Sequence, residues 1–116
     1  MAQAQLYGIK NCDTMKKAFK WLDQHNIAYE FHDYKKIVPD RAILKLAIQQ
    51  YDWETVINRR GTTWRKLPED VQTQMDGTKA VNIALENPSI IKRPLLVFDN
   101  VIHLGFKANE YEAIFA

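Results

Sequence analysis

The strongest constraint on this chain lies in residues 5–34, where the hydrophobic period changes twice. QLYGI (5–9) is a short apolar run of strand length. Met15, Ala18, Phe19 and Leu22 follow at i, i+3, i+4 and i+7, the spacing of one face of an amphipathic helix. IAYEFHDY (27–34) then alternates Ile27, Tyr29 and Phe31 against Ala28, Glu30 and His32, which suits a second strand. A strand, a helix and another strand in so short a span predict a parallel pair joined by a right-handed crossover.

Beyond this unit the pattern turns helical. Pro39 and Asp40 mark a helix start, with Ala42, Ile43, Leu46 and Ala47 as its expected apolar stripe. A short run, WETVI, ends at Ile57, and NRRGTT is a polar break. Pro68, at a helix N1 position, opens PEDVQTQM, and Gly77 punctuates it. TKAVNIALEN forms another helix, closed by Asn87 and Pro88. PLLVFDNVIHLGF reads as two strands around a two-residue Asp99-Asn100 turn. A last short helix carries Tyr111, Ile114 and Phe115. The order β-α-β, helical block, β-β-α predicts a thioredoxin-like α/β fold with an all-helical insertion between its halves. The expected organisation is one domain over residues 1–116, with 1–38 and 88–116 as the core and 39–87 as the insertion.

Composition narrows the function. The chain has 116 residues, enough for a core without metal or disulfide staples. A net charge of +2 gives no argument for nucleic acid, and no apolar run approaches a membrane span. One cysteine excludes an internal disulfide. MAQAQLYGIK lacks the basic and apolar regions of a signal peptide, so the expected location is the cytoplasm, with the thiol kept reduced.

That cysteine, Cys12, falls between the first strand and the first helix, beside Asp13 and Thr14 at the expected N-cap and first turn. A helix start carries partial positive charge and unpaired N–H groups, and both favour a thiolate over a thiol. The competing reading is a small buried hydrophobe. Met15 stands where a C-x-x-C pair would place its second thiol, so disulfide chemistry here needs an outside thiol, glutathione being the cytosolic candidate. Lys10 could add positive charge and Asp13 could offset it. Arg59 and Arg60 in NRRG, Arg93 before Pro94, and Lys107 after the hairpin are candidate anion-binding cations or ordinary surface charges. Pro94, opening the strand LLVF, is a candidate cis proline of the kind such folds keep beside their active thiol. His25, His32 and His103 show no metal-ligand spacing, and no metal site is expected. Trp21, Trp53 and Trp64 read as packing residues.

YGIKNCDTMKKAFKWL, INRRGTTWRKL and NPSIIKRPLLVFDN together resemble the arsenate reductase-like (ArsC/Spx-type) thioredoxin-fold family, and within it the small YffB-like branch. The resemblance runs from one end of the chain to the other. It implies a single nucleophilic Cys12, with Arg93 and one of Arg59 and Arg60 as oxyanion or glutathione ligands. Lys10, Asn11 and Thr14 flank the thiol in the same motif and join the candidate binding set. The family's third arginine position falls near Lys107. Lysine keeps the charge there but loses the bidentate fork. The basic group that some members place four residues before the cysteine is Gly8 here. The implied activity is glutathione-dependent thiol reduction or arsenate reductase-like chemistry by a monothiol. No cofactor would be bound. Glutathione would be the co-substrate, glutaredoxin a possible partner, and a small oxyanion or mixed disulfide the substrate. The chain would act as a monomer, without direct nucleic-acid or membrane contact. The Spx-type members imply the alternative, a regulator that contacts RNA polymerase without turnover.

Overall fold

The computed structural model describes residues 3–116. They form two compact units, one built from residues 3–36 and 93–116 and the other from residues 37–92.

In the first unit, β1 (Ala4–Gly8), α1 (Asp13–Gln24) and β2 (Tyr29–Asp33) make the expected β-α-β crossover, and β1 and β2 are parallel. β3 (Leu95–Phe98) pairs antiparallel with β1, and β4 (Val101–Leu104) pairs antiparallel with β3. The sheet order is therefore β2-β1-β3-β4, with β1 and β3 central. α7 (Ala108–Ile114) closes the chain. Alternation along β1 buries Ala4, Leu6 and Gly8 and leaves Gln5 and Tyr7 half-buried. Ala4 and Leu6 join Leu96 of β3, Met15, Trp21 and Leu22 of α1, and Tyr111 of α7 in one core cluster. Both helices thus cover the same sheet face. Each fully buried Leu or Met there contributes about 1.5–3 kcal/mol through its removal from water.

Two details differ from the expected pattern. β1 begins and ends one residue earlier than 5–9, since its ladder with β2 runs from Ala4 opposite Tyr29 to Gly8 opposite Asp33. Trp21, rather than Phe19, completes the buried stripe of α1. Phe19 lies at its margin against the rings of Tyr29 and Phe31. The hairpin turn is as read: Asp99 and Asn100 have φ of 55° and 65°, the paired positive values of a type I′ turn.

The second unit is helical: α2 (Arg41–Gln50), α3 (Trp53–Val56), α4 (Thr62–Arg65), α5 (Glu69–Thr73) and α6 (Gly77–Glu86), then a 3-10 turn at Pro88–Ile90. Asp40 caps α2, its Oδ1 accepting from the N–H of Ala42 at 2.8 Å and of Ile43 at 3.3 Å. The α2 stripe is rotated from expectation. Leu44 and Ala47 are buried, whereas Leu46 is 39% exposed, because α2 packs on α6 through its Leu44 side. Pro68 is the N-cap of α5 rather than N1, since its ψ of 145° is extended. Gly77 is the first residue of α6 rather than a break before it, because Asp76 accepts the Lys79 N–H at 2.8 Å and sets the helix start. Among the described residues no helix is long and apolar enough to cross a membrane.

Candidate functional site

Cys12 is the N-cap residue of α1, with extended φ and ψ of −149° and 130°. The sequence produces this locally. The chain leaves β1 at Gly8, turns through Ile9–Asn11, and Asp13 and Thr14 begin the helix. The sulfur is half-buried against the core cluster. Burial alone pushes its pKa up, but the N–H of Met15, a hydrogen bond and the positive charge from Arg93, and the N–H of Thr14 outweigh burial and bring it below the ordinary thiol value. These are the groups a helix start and a guanidinium offer an anion.

Arg93 reaches the thiol from the segment just before β3, in the same unit, and the Arg93–Pro94 peptide is cis. Pro94 is buried, and its carbonyl accepts from the N–H of Gly105 at 2.9 Å. Thr14 acts on the sulfur through its backbone N–H. Lys10, Asn11 and Lys107 are exposed, and none is among the groups acting most strongly on the thiol. Lys107 is the N-cap residue of α7.

Arg59 and Arg60 belong to the helical unit, and their surroundings separate them. The Arg59 guanidinium lies 5.7 Å over the Trp53 ring and 3.5 Å from the Glu54 carboxylate. Arg60 donates its backbone N–H to Asn58 Oδ1 at 3.2 Å, while its guanidinium makes no hydrogen bond or ion pair among the described residues. Two participants escaped the reading of the sequence. Met15 was read as an apolar-face residue of the helix and as a missing cysteine, yet its N–H also favours the thiolate. Gly8 was read only as a missing base, yet its bare Cα makes room for the Met15 side chain. N-cap geometry signals the first, because an N-cap side chain faces the N–H of N3. The second depends on a contact between β1 and α1 that no local pattern reports.

A thiol at a helix N-cap, acted on by the arginine of a cis Arg93–Pro94 bond just before a strand, on a four-stranded mixed sheet of this order, is the arrangement of a thioredoxin fold. The ArsC family model matches residues 7–114, and the chain belongs to that family. The solved structure of the YFFB (PA3664) protein superposes with a TM-score of 0.94 at 48% identity, covering 98% of this chain and all of that one. An arsenate reductase (ArsC) related protein from Brucella melitensis is 46% identical, with a TM-score of 0.74 over 97% of this chain and 94% of that one. The global transcriptional regulator Spx of Streptococcus mutans is 25% identical over 105 residues, which are 89% of this chain and 76% of that one.

Proposed function

We propose that the protein is a cytoplasmic, glutathione-dependent reductase in which the Cys12 thiolate is the nucleophile. The observation that carries this reading is the Arg93 guanidinium on a thiol already held at a helix start, which lowers the thiol pKa. With a glutathione mixed disulfide, the thiolate attacks the glutathione sulfur. A Cys12–glutathione disulfide forms and the substrate leaves as a thiolate that takes a proton. A second glutathione thiolate then attacks the glutathione sulfur of that disulfide, releasing oxidised glutathione and restoring Cys12. No resolving cysteine exists in this chain, so the second sulfur comes from outside. The likeness to an ArsC-related protein supports arsenate as the other substrate class, with Arg93 binding the oxyanion.

The family resemblance offers Arg59 or Arg60 as a second cation, and of the two Arg59 already lies over the Trp53 ring and beside the Glu54 carboxylate. The test sets arsenate against a glutathione mixed disulfide, each with glutathione and glutaredoxin, for wild type, Cys12→Ser, Arg60→Ala and Arg59→Ala. Turnover of at least one substrate that is lost in Cys12→Ser and weakened by Arg59→Ala or Arg60→Ala supports the proposal. Equal turnover in wild type and Cys12→Ser overturns it.

The likeness to Spx favours a second reading, a module that binds RNA polymerase with the thiol incidental. Met15 at the position of a C-x-x-C partner argues against a redox switch of that kind. The discriminating result is recovery of polymerase by the Cys12→Ala protein from a lysate.

A further inference from the structure

The junction of β1 and α1 holds a contact that the thiol chemistry has not yet used. A Cβ on Gly8 would lie 2.6 Å from the Met15 sulfur and 2.9 Å from its methyl carbon, distances at which something must move. The end of a methionine normally swings aside at little cost. This one is fully buried, packed in the cluster with Leu6, Trp21, Leu22, Leu96 and Tyr111, so it has no open direction to take. Close-packed cores pass such displacements to the backbone that carries the side chain. Here that backbone is the third residue of α1, three positions from Cys12 and donor of the N–H that faces its sulfur.

We infer that Gly8 is a positioning residue for Cys12: its missing side chain seats the Met15 thioether, and the seated Met15 aims its backbone N–H at the Cys12 sulfur. This rests on the proposed role of Cys12 as an activated thiolate. Gly8 touches neither substrate nor sulfur in this account and acts only through Met15. The need is for space alone, since the Gly8 backbone does not take a positive φ. The charged group that acts on the sulfur is Arg93, from the segment before β3, and the variants below leave it in place.

The readout is the pH midpoint of iodoacetamide alkylation of Cys12 in the full chain, with far-UV circular dichroism to confirm folding. Gly8→Ala is expected to move the midpoint up toward the free-thiol value of about 8.5, a roughly twofold or greater loss of alkylation rate at pH 7. Gly8→Ala/Met15→Val, which removes the atoms in conflict, is expected to return to the wild-type midpoint. Where Gly8→Ala costs the fold, the folded double variant at the wild-type midpoint supports the inference, and one with a raised midpoint overturns it. A folded Gly8→Ala protein with the wild-type midpoint also overturns it. A wild-type midpoint at or above 8.5 is a different failure, since it removes the activated thiolate itself.

Discussion

Ionisation of Cys12 removes a proton, so every group that favours the anion lowers the pH at which the thiol reacts. Its alkylation midpoint is expected below the 8.5 of a free thiol. Arg93→Ala is expected to raise that midpoint, since it deletes both a hydrogen bond to the sulfur and a positive charge. Lys107→Ala, at an exposed N-cap, is expected to leave it in place. Tyr111 offers a test of packing against polarity. Its ring is 1% exposed among Trp21, Phe106 and Phe115, while its hydroxyl has no hydrogen-bond partner among the described residues. An unpaired buried hydroxyl costs free energy, so Tyr111→Phe is expected to be neutral or stabilising by about 1 kcal/mol, read as an unchanged or raised Tm. The sequence alone made Cys12 a candidate, because strand, turn and helix signals converge on it. It left the choice between Arg59 and Arg60 open. What separates the two is a ring six positions and a carboxylate five positions before Arg59, and no periodic pattern encodes that contact.

Where the secondary structure was legible, local physics decided it. Asp99-Asn100 between two apolar strands requires positive φ at both positions, and the chain adopts it. Asn100→Gly is expected to stabilise by about 0.5 kcal/mol, since glycine reaches that region without the Cβ penalty; chemical denaturation measures it. Asp40→Ala is expected to cost about 1 kcal/mol, because it removes the acceptor for two N–H groups of α2. Where the reading slipped, a partner element was the cause. Leu46 fits an i, i+3, i+4 stripe with Ala42 and Ile43, yet Leu44 faces α6, and no single-helix pattern says on which side a neighbour lies. Gly77 looked like a break because glycine weakens helix interiors. The Asp76 cap places it at the first position instead, where that cost is small.

Across the chain, thiol ionisation is linked to stability. The folded protein lowers the Cys12 pKa relative to the unfolded chain, so the anion stabilises the fold. That contribution is present in full above the unfolded thiol value of about 8.5 and is lost as pH falls through the lower folded value. The difference in Tm between wild type and Cys12→Ser is therefore expected to grow with rising pH across this window. The two groups that make the thiolate also come from opposite ends of the chain. Cys12 and its N–H donors sit at the first helix, and Arg93 follows the whole of residues 37–92. During synthesis the cysteine leaves the ribosome long before its guanidinium partner exists. The full set of groups that favour the thiolate is therefore brought together only when β3 docks beside β1.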